Sequence, residues 1–338
     1  RPPRSTPKPS SAASDVYKRQ AFATLAMVGL VMFPAMIEAK YDRGYSAGVL
    51  CSSCTLGNFI PPSIVLIVYG FLTEQSVSRL FMAAIMPGVL LAVLLAVTAM
   101  LVARRKNFPS VPTVGWQERG RLFVKALPAI FMPVIILGGI YGGIFTPTEA
   151  AAVACVYCLL MGAFVYRGLN WRSIWASLTE TADLAGRILI IIVAGMMIAR
   201  AFTLAGFPVA ITNWVVAAGL TRMTLLLLTI LAFLILGIIM EAGAVMFVVM
   251  PLIWPSAMAL GVDPIHLGII FCISMAVASI TPPMALAMFV TSSLFDTPIE
   301  ELTRGVLPFL GVMISVMVII TIFPEISLWL PGTMVGGG

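Results

Sequence analysis

Two short stretches of this sequence place hydroxyl, amide and small residues immediately before a pair of prolines. The first, CSSCTLGNFIPP, carries Ser52, Ser53, Thr55, Gly57 and Asn58 ahead of Pro61 and Pro62. The second, SMAVASITPP, carries Ser274, Ser279 and Thr281 ahead of Pro282 and Pro283. Hydroxyl, amide and carbonyl oxygens are hard donors, better suited to Na+ or a carboxylate substrate than to a transition metal. A single Ser or Thr in such a place equally suits a hydroxyl bonded to the preceding helical turn. Proline removes an N–H and breaks a helix. Inside a membrane such a break is tolerated only where it is buried in protein or lines a cavity.

A third candidate is Glu241, within LGIIMEAGAVMFVVMPL and two residues before Gly243. A carboxylate inside an apolar run is costly and marks a functional site by default. Two readings stand: a place in the ion or substrate region, or a structural pair with Arg187 or Arg200. Glu149 follows Thr146-Pro147 and fits the first turn of a capped helix, which alone explains it. Cys51/Cys54 and Cys155/Cys158 are C-x-x-C pairs, yet they lie in apolar surroundings without a His or Asp cluster. They read as small apolar packing residues. With His266 the single histidine, H-E-x-x-H zinc chemistry is excluded.

The elements that must position these residues are membrane helices. The chain has 338 residues, of which 60% are hydrophobic and 10% charged, and its mean hydropathy is +1.06. Apolar runs at 79–103, 127–145, 148–166, 185–206, 222–240 and 306–323 approach or exceed the ~20 residues a bilayer crossing needs. Continuous runs of this kind predict a polytopic all-α membrane protein, not an outer-membrane barrel. Gly138/Gly142 and Gly139/Gly143 are small-xxx-small pairs that let helices approach closely.

An internal repeat organises the runs. An offset of 221 residues carries Pro34 onto Pro255, Asp42 onto Asp263, Pro61-Pro62 onto Pro282-Pro283, and Pro87 onto Pro308. The arms flanking each diproline, 46–59 with 63–72 and 265–279 with 284–295, are each too short to span. Each pair predicts a re-entrant hairpin, at about 46–72 and about 265–295. Discontinuous helices at matching places in two halves point to a transporter's binding site. Five crossings are expected between the hairpins: 79–103, 127–145, 148–166, 185–206 and 222–250, the last broken near Glu241. An odd number would invert the second hairpin relative to the first.

Net charge is +6, of which residues 1–20 contribute five basic groups against Asp15. That leader lacks an apolar core and is expected to be non-native or disordered, its SDVYKRQ resembling a sequencing-adapter read-through. Because the second half has about 60 residues of membrane helix with no counterpart ahead of Ala21, the chain is expected to be N-terminally truncated. Arg104, Arg105, Lys106, Arg119, Arg121 and Lys125 face only Glu118 over 104–125. The positive-inside rule places that loop in the cytoplasm, although Lys40 and Arg43 pull the other way. Residues 116–125 and 171–184 look amphipathic and suit the membrane interface.

The stretches CTLGNFIPPSIVLIVYGFLTEQSVSRLFMAAIMPG, PVIILGGIYGGIFTPTEAAAVACVY and ITPPMALAMFVTSSL, with the later VLPFL, stand in an order that resembles the large membrane (permease) subunit of the tripartite ATP-independent periplasmic (TRAP) transporters. The resemblance runs from about 21 to 330. It implies an inverted-repeat, elevator-type secondary transporter in the bacterial inner membrane, driven by Na+. It further implies organic anion substrates of the dicarboxylate, other carboxylate or sialic acid type. A periplasmic substrate-binding protein would deliver them, and a small four-helix membrane subunit would complete the complex. By that resemblance Ser52, Ser53, Thr55, Gly57, Ser279 and Thr281 are expected near Na+. Asn58, Pro61, Pro62, Pro282, Pro283, Glu241 and Gly243 are expected near substrate. The family usually has small residues where this chain has Cys51 and Cys54.

The expected organisation is a leader at 1–20 and a first repeat at 21–103. A basic loop, two membrane helices and an amphipathic arm follow at 104–184, then a second repeat at 185–330 and a tail at 331–338. No catalytic residue, organic cofactor or nucleic-acid partner is expected. A related permease that works without a binding protein, such as a dicarboxylate or citrate symporter, is the alternative. An intramembrane enzyme or a channel fits less well.

Overall fold

The computed structural model describes residues 23–109, 115–282 and 285–334. The leader at 1–20, Pro283 and residues 335–338 of the expected tail lie outside the described residues. Among the described residues all regular structure is helical: α1 (Ala23–Glu38), α2 (Arg43–Cys54), a 3₁₀ turn (Thr55–Asn58), α3 (Ile64–Thr73) and α4 (Val77–Arg105) form the first part. Next come α5 (Trp116–Tyr141), α6 (Pro147–Leu160) with a π turn (Met161–Val165), α7 (Trp171–Leu204) and α8 (Phe207–Ala217). The last part is α9 (Arg222–Ile239), α10 (Ala242–Ala259), α11 (Pro264–Ala278), α12 (Leu286–Leu294), α13 (Ile299–Ile322) and α14 (Glu325–Met334). Among the described residues seven helices are long and apolar enough to cross a membrane: α4, α5, α6 with its π turn, α7, α9, α10 and α13.

Local sequence explains the boundaries. Asp42 caps α2 by accepting from Tyr45 N at 2.8 Å, and Asp263 caps α11 by accepting from Ile265 N at 2.8 Å and His266 N at 3.0 Å. Each short polar side chain satisfies N–H groups that the first turn leaves orphaned. Thr146 and Glu149 form a reciprocal capping box at α6, with Thr146 N donating to Glu149 Oε2 at 2.8 Å. Capping therefore accounts for Glu149.

Three expectations about crossings change. Residues 171–184 and 185–206 join in one helix, because no proline interrupts α7 over its 34 residues. At ~1.5 Å per residue it is ~51 Å long, well beyond a ~30 Å hydrocarbon core. Residues 116–125 likewise open α5 and run straight into the expected span. The single crossing at 222–250 is two helices, since the backbone at Met240 and Glu241 is extended and α9 stops at Ile239. Each half is 18 residues, so six helices between α3 and α11 are long enough to span where five were expected. Crossing parity therefore does not argue for inversion.

The packing does relate the two halves. At the 221-residue offset α1 corresponds to α10, α2 to α11, α3 to α12 and α4 to α13. Pro34 and Pro255 sit inside corresponding helices, as do Pro87 and Pro308. Helix α2 packs on α13 while α11 packs on α4, and α3 packs on α11 while α12 packs on α2. Reciprocal contact of this sort, with element i on j and j on i, is the mark of a two-fold relation.

Helix α11 is the centre of the core: from Ile265 to Ala278 every residue is buried. The α2–α13 crossing is the closest. A Cβ on Gly305 would lie 2.0 Å from the Gly44 carbonyl oxygen, and one on Gly48 would lie 2.6 Å from the Gly305 carbonyl oxygen. By contrast α5, α6 and α7 bury little of themselves and expose Phe131, Val134, Phe164, Ile190 and Met197. Such faces need lipid or another subunit.

Candidate functional site

The first break begins where α2 tightens into the 3₁₀ turn. Thr55 is buried, and its hydroxyl donates to the Ser52 carbonyl at 2.7 Å. Ser52 is also buried, and its Oγ has no hydrogen-bond partner. Among the described residues only Tyr141 OH and His266 Nε2 share that state. Ser53, Gly57 and Asn58 are exposed, and a Cβ on Gly57 would meet nothing within 4 Å. The Asn58 carbonyl is taken up by the Ser63 hydroxyl, whose Oγ also caps α3. The Pro61–Pro62 bond is cis, with Pro61 buried and Pro62 exposed. Pro62 and Ser63 line an apolar groove of about 250 Å³ against Ile136, Ile140 and Ala151.

The second break is held more tightly. The Ser279 hydroxyl donates to the Ala276 carbonyl at 2.8 Å, and the Thr281 hydroxyl to the Val277 carbonyl at 2.7 Å. Across the break, Ala287 N donates to the Ser279 carbonyl at 3.1 Å, so that carbonyl is already engaged. Ser279, Thr281 and Pro282 are each half-buried. Ser274 is fully buried, with its hydroxyl on the Ile270 carbonyl at 2.7 Å. The hydroxyls of Thr55, Ser279 and Thr281 thus spend their protons on the preceding turn, as Ser and Thr do in apolar helices. Their oxygen lone pairs stay available to a cation.

The first tip meets elements of the opposite half. The first 3₁₀ turn packs on α11, the Thr55 hydroxyl lies 3.9 Å from Met313 Sδ on α13, and the buried Cys51 on α2 lies beside Thr291 on α12. Cys272 is the 221-residue counterpart of Cys51, and both are buried free thiols. Cys155 and Cys158 are exposed on α6, and no group of three metal-ligating side chains occurs among the described residues.

Glu241 occupies the cap position of α10, with φ −70° and ψ 149° and no capping bond from its side chain. Its Oε2 is 3.7 Å from where a Gly243 Cβ would stand, so the carboxylate curls over the first turn of α10. The break lies one turn beyond Gly237, where an added Cβ would lie 2.8 Å from Ala278 Cβ and 2.9 Å from Met275 Cε at the end of α11. That places Glu241 on the side of the second tip. No hydrogen bond joins it to a tip residue, and no ion pair involves it among the described residues. The pairing reading fails for Arg187, which bonds Asp183 at 2.8 Å.

Sequence reasoning missed Ser63, Thr291 and Met313. The cap position of Ser63 after a diproline was a usable signal; nothing local marks the other two, which reach the site only through packing between halves.

The chain matches the family model for the tripartite ATP-independent periplasmic transporter, DctM component, over residues 20–326. It is 41% identical to a C4-dicarboxylate TRAP transporter large permease protein of Pseudomonas aeruginosa, an alignment covering 91% of this chain and 72% of that protein. It is 32% identical to the sialic acid TRAP transporter large permease protein of Vibrio cholerae, over 94% of this chain and 74% of the relative. An isethionate TRAP transporter permease protein of Oleidesulfovibrio alaskensis is 33% identical over 92% of this chain and 49% of its own length. With helices fit to cross a bilayer, two matched breaks and these relatives, the chain is a multi-pass inner-membrane protein that belongs to the DctM family of TRAP transporter large permeases.

Proposed function

We propose that this chain forms the membrane path of a Na+-driven secondary transporter for small organic anions. In this reading α2–α3 and α11–α12 are re-entrant hairpins, related by an inverted repeat, that move together in elevator fashion. Repeats at 21–103 and 185–330 supply one hairpin each, and the helices between them belong to the surrounding frame. Na+ lies at Ser52, Ser53, Thr55 and Gly57 on one tip and Ser279 and Thr281 on the other. The anion lies beside Asn58 and the two diprolines, with Glu241 and Gly243 at its margin.

One observation carries the reading. Two helix pairs, each broken at the same point of a 221-residue repeat, pack their arms on the opposite half, and the tip of the first lies against α11. Broken helices lend free carbonyls to cations and N-terminal dipoles to anions. The buried Ser52 hydroxyl without a partner adds support, because such a group costs stability unless a ligand engages it. The names of the relatives include a C4-dicarboxylate, a sialic acid and isethionate, which are all organic anions. A periplasmic binding protein supplying the anion and a small four-helix subunit covering part of the exposed α5–α7 surface complete the proposed assembly.

The test is uptake of labelled succinate into proteoliposomes holding the chain with its small subunit. Uptake should require both an inward Na+ gradient and the binding protein. Uptake without the binding protein would overturn delivery and favour a self-sufficient symporter. Uptake indifferent to Na+ would overturn the coupling.

A further inference from the structure

The two-fold relation between halves offers an internal control for each contact, and at one place the halves differ in kind. In the first half, Phe33 of α1 stacks on Phe295 at the end of α12, centroids 4.3 Å apart and planes within 10°. Gly29 makes room for this: a Cβ there would lie 2.3 Å from the Phe295 ring. At the 221-residue offset Gly29 becomes Met250, Phe33 becomes Trp254, and Phe295 corresponds to Glu74. The aromatic partner is thus replaced by a carboxylate, and the stack by open space. Met250, Trp254 and Glu74 line a cavity of about 320 Å³, together with Leu72, Thr73 and Pro251.

The chemistry of this cavity is specific. Glu74 closes α3 in the left-handed region at φ 56°, which puts its side chain at the end of the helix. Its carboxylate has no ion pair or hydrogen bond among the described residues. The neighbouring polar groups are spent locally, the Thr73 hydroxyl on the Tyr69 carbonyl at 2.7 Å and the Gln75 amide on the Thr73 carbonyl at 3.1 Å. An unpaired carboxylate and an indole on the walls of one cavity suit a bulky cation. The indole face attracts it through the ring quadrupole and the carboxylate supplies the countercharge. A carboxylate ligand is disfavoured by like charge, and a bare metal ion would find too few oxygens.

We propose that this cavity between α3 and α10 binds a substituted ammonium group, held by Glu74 and Trp254. The ammonium could come from an ethanolamine lipid headgroup or from a free amine; the binding chemistry is the same. The site stands apart from the hairpin tips and does not rest on the transport reading.

The test uses the permease with its small subunit in phosphatidylglycerol nanodiscs at fixed NaCl. Tetramethylammonium chloride is titrated against potassium chloride, reading the tryptophan emission that Trp254→Phe removes. The expected result is a saturating response to tetramethylammonium alone. Glu74 is exposed, so the midpoint should rise about threefold in Glu74→Gln, the range of an exposed ionic contact. Glu74→Asn, better suited to left-handed backbone, is the second variant, and each is checked for an unchanged melting temperature. Discs made with phosphatidylethanolamine separate the sources: a response blocked there assigns the site to the lipid headgroup, an unaltered one to a free amine. A potassium response of equal size, a Glu74→Gln protein that responds like the parent, or silence in both discs overturns the proposal.

Discussion

Arg43 and Pro264 hold equivalent places in the first turns of α2 and α11, and each is bonded to the opposite half. Arg43 Nη2 donates to the Phe295 carbonyl at the end of α12, at 2.9 Å. The Pro264 carbonyl accepts from Tyr69 OH on α3, at 2.6 Å. The first turn of α2 is therefore tied to the end of α12, and that of α11 to α3, so the four helices are cross-linked between the halves.

The two ties differ in how they should respond to loss. Tyr69 is fully buried and Arg43 is exposed. Tyr69→Phe leaves a carbonyl without its donor and is expected to cost about 1–3 kcal/mol. Arg43→Gln leaves the Phe295 carbonyl with the Thr297 hydroxyl at 3.2 Å and should cost under about 1 kcal/mol. The melting temperature of the detergent-solubilised complex should thus fall more for the loss of one oxygen than for the loss of a charge. The reverse order would show that the Arg43 tie is the principal link.

Two glycines make a matched pair of tests. Gly305→Ala drives a methyl into the Gly44 backbone, where neither helix can yield cheaply. Monodisperse protein in size-exclusion chromatography should be largely lost. Gly57→Ala meets open space, so the protein should fold at parental yield, and any change in Na+ activation then reports on the first tip itself. Equal yields for both would mean that the α2–α13 crossing is looser than its geometry.

The repeat was readable because its markers are local. Asp42 and Asp263 cap helices, and the prolines interrupt them, through chemistry confined to a few residues. The split at Glu241 was only half readable. A charge followed by Ala-Gly announces a break, but whether one helix bends or two helices form depends on the length each side can bury. The joining of 171–184 to the following span was missed because amphipathic and apolar stretches carry no boundary when nothing between them stops a helix. Contacts such as Thr55–Met313 and Cys51–Thr291 bridge residues more than two hundred positions apart, and nothing in either local sequence announces the other.

For the proposed Na+ site, alanine at Ser53, Thr55, Ser279 and Thr281 should raise the Na+ concentration for half-maximal uptake. Thr55, Ser279 and Thr281 should show larger effects than the exposed Ser53, since their hydroxyls are fixed by bonds to the preceding turn. A ligand that binds only the folded state at a hundredfold excess over its Kd stabilises by about 2.7 kcal/mol. The parent should therefore melt higher in NaCl than in KCl of equal ionic strength, and the double variant Thr55→Ala, Thr281→Ala should lose that difference. Retention of the full NaCl shift would remove Na+ from these tips.

Glu241 separates a structural from a functional carboxylate. As the cap residue of α10 it stands at the positive end of the helix dipole, a place worth about 0.3–1 kcal/mol to an anion. It has no ion-pair partner to strand among the described residues. Glu241→Gln keeps the shape and should lower stability by no more than that amount. If the charge serves the ion or substrate region, succinate uptake should fall at least about tenfold, a loss near 1.4 kcal/mol in the rate-limiting step. Glu241→Asp, which keeps the charge, should recover part of it. Parental uptake in Glu241→Gln, with melting unchanged, would reduce this residue to a helix cap and leave the second tip to work through its backbone and hydroxyls alone.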